Sequence, residues 1–170
     1  MISEKQMINY ALFVSAFFLS HNYMAQKDVL KLLPGSKKAN YFEENDLLKL
    51  EGDVNFEYQE NTMYCDSAHY FENAQIVRAY GNVHIIKEKL NIFCDSAYFN
   101  GKTEKSKLWG RVKMRDGDYR LTTDSIEYDS KTGRATYRNN GTIQKINSKE
   151  RIISKIGYFY PDTKLSLIHI

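Results

Sequence analysis

Residues 81–99 read Gly81-Asn82-Val83-His84-Ile85-Ile86-Lys87-Glu88-Lys89-Leu90-Asn91-Ile92-Phe93-Cys94-Asp95-Ser96-Ala97-Tyr98-Phe99, and the same pattern stands on either side of them. Gly52-Asp53-Val54 leads to Cys65-Asp66-Ser67-Ala68, and Gly110-Arg111-Val112 leads to Thr123-Asp124-Ser125-Ile126. The glycines at 52, 81 and 110 and the aspartates at 66, 95 and 124 each recur every 29 residues. A unit of that length cannot bury its own apolar face, so successive copies must stack and share an interior.

Each unit holds two extended segments. After the glycine, apolar residues fall at every second place, with Val54 and Phe56, Val83 and Ile85, Val112 and Met114 around the polar Asn55, His84 and Lys113. That period of two is the mark of a strand with one buried face. In the second segment the apolar places are Met63 and Cys65, Ile92 and Cys94, Leu121 and Thr123. Beyond Asp-Ser they shift by one, to Ala68 and Tyr70, Ala97 and Phe99, Ile126 and Tyr128. A strand exchanges its buried face only through a bulge or bend, so Asp-Ser is expected to mark a corner where the chain passes from one sheet to another. Turn signals at Asn100-Gly101, Asp129-Ser130-Lys131-Thr132-Gly133, Gln59-Glu60-Asn61 and Asp116-Gly117-Asp118 fall between the segments. The fold expected is all-β, a repeat-built open β-jellyroll, β-solenoid-like, of kinked antiparallel strands.

The repeats span residues 47–160. A fourth unit begins at Gly141 and is degenerate, since Lys145 stands where an apolar residue is expected. Residues 26–46 carry no clear copy and are read as a lead-in segment, and residues 161–170 as the truncated end of a further repeat. Residues 1–25 read as a secretory signal, with Lys5 before an apolar run from Met7 to Ser20 and cleavage after Ala25. The run is shorter than the roughly 20 residues that cross a bilayer; an uncleaved anchor is the alternative.

A formal net charge of +3 is far from the dense basic face of a nucleic-acid binder, and no nucleic-acid partner is expected. The two cysteines occupy one repeat position. In antiparallel hairpins equivalent places lie two strands apart, about 9.6 Å, beyond the roughly 4.4–6.8 Å that a disulfide spans. In parallel coils they would lie about 4.8 Å apart, within that range; because Thr123 takes the place in the third unit, Cys65 and Cys94 are expected to be separate thiols. The column Asp66, Asp95, Asp124 could form a calcium ladder, but no second acid stands in register, and hydrogen bonding to backbone amides at the corner is the expected role. His69 and His84 lack partners at metal-ligand spacing. Ser67 with His69, or Ser96 with Asp95, lacks the surroundings of a hydrolase nucleophile. No catalytic residue, metal or cofactor is assigned.

The Gly-Asn-Val strand, Leu121-Thr122-Thr123-Asp124-Ser125-Ile126-Glu127-Tyr128-Asp129 and the turn Lys131-Thr132-Gly133-Arg134-Ala135 resemble the OstA-like family, which includes periplasmic lipopolysaccharide-transport proteins. The resemblance implies a twisted β-jellyroll that carries lipopolysaccharide acyl chains in its interior without catalysis. It also implies end-to-end self-association, or docking on other jellyroll domains of a transport bridge. The location it implies is the periplasm, at or near the outer membrane. The lining would be the alternating apolar column: Val54, Phe56, Met63 and Cys65; Val83, Ile85, Ile92 and Cys94; Val112, Met114 and Leu121. An exported structural or adhesive β-solenoid that binds protein or glycan is the alternative. Charge is graded along the stack, from −5 over residues 51–80 to +3 over residues 141–170, which could orient docking or favour phosphate near the basic end.

Overall fold

The computed structural model describes residues 29–160 and 165–169; the signal-peptide reading of residues 1–25 lies outside them. Six long strands carry the three repeats: β3 (Leu47–Tyr58), β4 (Asn61–Phe71), β5 (Ile76–Lys87), β6 (Leu90–Asn100), β7 (Lys105–Asp116) and β8 (Tyr119–Asp129). Each pairs antiparallel with the next. Shorter strands flank them: β1 (Lys31–Leu33) and β2 (Lys38–Phe42) before, and β9 (Arg134–Tyr137), β10 (Gly141–Lys145), β11 (Arg151–Ser154), β12 (Ile156–Tyr160) and β13 (Leu165–His169) after.

Every long strand bends at mid-length without ending. On β3, β5 and β7 the bend is a two-residue bulge, Gly52-Asp53, Gly81-Asn82 and Gly110-Arg111, with positive φ at both residues. In β3–β4 the pair Gly52-Asp53 stands opposite the single residue Asp66, and the later units repeat this. The extra residue on the glycine strand absorbs the change of face on the aspartate strand. The corner is thus a fold within one continuous 13-stranded sheet and not, as the sequence suggests, a passage between two separate sheets.

The bends line up and fold the sheet into two facing layers. The first holds the halves before the glycines, such as 47–51 and 76–80, and the second the halves after them, such as 54–58 and 83–87. The broken strands obey the same plan. β2 extends the first layer and β1 the second, both paired with β3, so residues 31–42 form a degenerate copy although no repeat is legible there. At the other end β9 and β12 continue the first layer, while β10 and β11 continue the second.

Alternating residues point between the layers and form one core, including Leu50, Val54, Phe56, Val77, Leu108 and Ile126. The fourth unit departs because Tyr137 is buried there, its hydroxyl 2.7 Å from that of Ser154. Its ring occupies the space that side chains at 141 and 157 would need: a Cβ on Gly141 would stand 2.4 Å from the ring, and one on Gly157 2.2 Å from the hydroxyl.

Candidate functional site

The core column behaves as its alternation requires. Val54, Phe56, Met63, Cys65, Val83, Ile92, Cys94, Val112, Met114 and Leu121 are all buried; Ile85 is partly buried against them. Their neighbours Tyr64 and Lys113 are exposed, and Asn55 and His84 half-exposed. The interior closes at the corners and opens at the opposite strand ends, where the connecting turns of the two layers face each other.

Between the layers lies an apolar cleft of about 60 Å³. Phe56, Met63, Ile85 and Ile92 line it from the second layer, and Ala97, Phe99, Leu108 and Tyr128 from the first. Asn61, Lys87, Ser106 and Ser130 put polar groups among the residues around it. Of the eleven column residues only Phe56, Met63, Ile85 and Ile92 reach the cleft; the rest are packed in the core away from it. The first-layer wall carries its own period-two signal past Asp-Ser. Leu30 carries none, because it reaches the cleft through its position beside Tyr70 and Gln75.

Two sets of contacts join the layers across the opening. The Tyr58 hydroxyl donates to the Gly101 carbonyl at 3.1 Å, and its ring meets Phe99 edge-on with centroids 4.9 Å apart. Leu30, almost fully buried, accepts a 3.0 Å bond from the Tyr70 hydroxyl at its carbonyl and donates its N–H to Gln75 Oε1 at 2.7 Å. From there the chain crosses to the second layer as β1.

The repeated polar residues serve the corner. Asp66 accepts from Asn82 Nδ2 at 2.8 Å, and Asp95 from Arg111 Nε at 3.0 Å. The partner is the side chain that follows the repeat glycine, and not the backbone amide expected from the sequence. Arg111 holds the Asp95 carboxyl below the usual carboxylate range, chiefly by this hydrogen bond. A Cβ on Gly81 or Gly110 would stand 2.4 or 2.5 Å from the aspartate oxygen, so these places need glycine for space as well as for φ.

Cys65 and Cys94 are free, buried thiols on β4 and β6, with β5 between them. The Cys94 thiol donates to the Ser96 carbonyl at 3.3 Å; the Thr123 hydroxyl lies the same distance from the Ser125 carbonyl but donates to the nearer Asn140 carbonyl at 2.8 Å. Cysteine and threonine share this repeat place because both are small donors that a carbonyl at the corner can satisfy. Burial pushes the Cys65 thiol up to about 11 and the Cys94 thiol to about 12. Among the described residues no group of three His, Cys, Asp or Glu could hold a metal ion, and no helix is long and apolar enough to cross a membrane.

A single antiparallel sheet, creased at repeated glycine bulges and folded over an apolar interior, defines an open β-jellyroll. The chain belongs to the OstA-like protein family, whose model matches residues 24–169. Among solved structures it is similar to LptH from Pseudomonas aeruginosa, described as the LptA homologous periplasmic component of a lipopolysaccharide transport device. The likeness has a TM-score of 0.56 at 9% identity and covers 85% of this chain and 98% of that one. At that identity it shows the fold alone. No curated protein matches the chain by sequence.

Proposed function

We propose that this protein is a non-enzymatic periplasmic carrier or bridge that holds lipopolysaccharide acyl chains between its two layers during export to the outer membrane. The observation that carries this reading is the apolar cleft at the open side of the fold, lined from both layers by flexible or aromatic side chains. Family membership and the likeness to a periplasmic transport component support it. Acyl burial supplies about 0.8 kcal/mol per methylene. At about 60 Å³ the cleft has room for about two waters, far less than one acyl chain, so the layers part on loading. Met63, in the lining, suits a wall that repacks around flexible chains. The alternative of an adhesive β-solenoid needs no such interior opening.

The first 25 residues act in this reading as the export signal, and the open edges of the folded sheet are where further jellyroll domains or copies of this chain add strands. The decisive experiment places a photo-crosslinking residue at Ile85 or Met63, which line the cleft, and at His84, on the outward face. Capture of lipopolysaccharide in cells from the first two and not from His84 is expected. Equal capture from all three would mean that lipid coats the surface, and the carrier reading would fall.

A further inference from the structure

The outer faces of the two layers are charged differently, although the same two strands, β7 and β8, cross both. In the first layer cross-strand neighbours pair by opposite charge: Lys105 with Asp129 at 3.8 Å and Lys107 with Glu127 at 3.1 Å. Past the corner the outward neighbours are Lys113 opposite Thr122 and Arg115 opposite Arg120. Gln144 stands next to Arg120, and Arg151 next to Gln144. Lys113, Arg115, Arg120 and Arg151 are exposed, and among the described residues no carboxylate forms an ion pair with any of them. Like charges directly opposite in a sheet oppose its stability, and a bound anion would relieve them.

Beside this cluster the corner is left open. Asp66 and Asp95 are each closed by the residue after the next glycine. In the fourth unit the glycine comes 31 residues after Gly110 instead of 29, the strand breaks between β9 and β10, and among the described residues no side chain hydrogen-bonds Asp124, Asn139 Nδ2 instead donating to Ser125 Oγ at 3.0 Å. The result is a concavity of about 310 Å³ lined by Lys113, Thr122, Asp124, Asn139, Asn140 and Thr142, with Arg111 already engaged by Asp95. Hydroxyl, amide and carboxylate groups of this kind exchange hydrogen bonds with a polyol, and the volume lies at the small end of ligand sites.

We infer that the outer face of the second layer binds a phosphorylated saccharide, with the sugar in the concavity and the phosphate on Lys113, Arg115 and Arg120. Guanidinium groups hold phosphate oxygens in bidentate fashion. A hydroxyl- and amide-lined hollow favours a discrete saccharide over a membrane surface, which needs only the flat basic face. The site lies on the outside of the sheet and is independent of acyl carriage.

The test titrates the intact protein with pentamannose 6-phosphate, which has no acyl chain, while following the amide resonances of Lys113, Thr122 and Thr142. Unphosphorylated mannopentaose, inorganic phosphate and vesicles of phosphatidylglycerol in phosphatidylcholine serve as comparisons. The phosphosaccharide should bind most tightly and shift those amides. Arg120→Glu should weaken it by about tenfold or more while keeping the fold, because the substitution makes with Arg115 the kind of pair that Lys107 makes with Glu127. Undiminished binding by Arg120→Glu, equal binding of inorganic phosphate, or response to vesicles alone would each overturn the inference. Loss of lipopolysaccharide capture at Ile85 with this binding intact would overturn only acyl carriage.

Discussion

Tyr58, at the end of a second-layer strand, reaches across the mouth of the fold to the carbonyl of Gly101, in a first-layer turn. This bond and the Tyr58–Phe99 ring contact hold the layers together where an acyl chain would have to enter. Tyr58→Phe keeps the ring and removes the bond. It should lower stability by about 1 kcal/mol and speed uptake of a fluorescent fatty acid in stopped-flow mixing. Unchanged uptake would show that entry does not pass between these residues.

The three repeat glycines should differ in their tolerance of alanine. All have positive φ, but a Cβ meets the Asp66 carboxylate at Gly81 and the Asp95 carboxylate at Gly110, and only the flexible Lys37 side chain at Gly52. Denaturant unfolding should place Gly81→Ala and Gly110→Ala about 2 kcal/mol or more below the parent, with Gly52→Ala nearer the 1–2 kcal/mol of backbone strain alone. Gly117, also at positive φ, has nothing within 4 Å, and alanine there should show the strain term by itself.

Gly157 tests packing without that strain. Its backbone lies outside the positive-φ set, yet a Cβ would meet the buried Tyr137 hydroxyl. Gly157→Ala should destabilise by about 1–3 kcal/mol through overpacking. The double variant with Tyr137→Phe should recover part of the loss, and a thermal or denaturant cycle reads the coupling.

The buried thiols predict an alkaline limit. Their folded values are raised from 9.0 to about 11 at Cys65 and about 12 at Cys94, mainly by burial. The unfolded chain then releases these protons first, so stability is fully present below pH 9 and falls as pH rises toward 11 and 12. Thiol titration should find both cysteines unreactive in the native protein at pH 8 and two free thiols after denaturation. Cys94→Thr should be tolerated better than Cys94→Val, by about 1 kcal/mol, because only threonine keeps a donor for the Ser96 carbonyl.

The sequence by itself determined the period, the strand alternation, the change of buried face at Asp-Ser and hence the repeat-built β fold. These are local statements. A glycine every 29 residues and an apolar residue at every second place constrain each strand before any neighbour is known. Tertiary structure decided what happens between distant segments. Residues 31–42 become a strand pair because β3 offers an unpaired edge, not because they carry the repeat. The corner aspartates find Asn82 and Arg111 because the bulge brings together residues 16 apart in the chain. Only four of the eleven column residues reach the cleft, because alternation shows which face is buried but not where two buried faces fail to meet. Arg115 and Arg120 are ordinary surface charges when read along the chain, and become a cluster only when the turn at Gly117 sets them opposite each other.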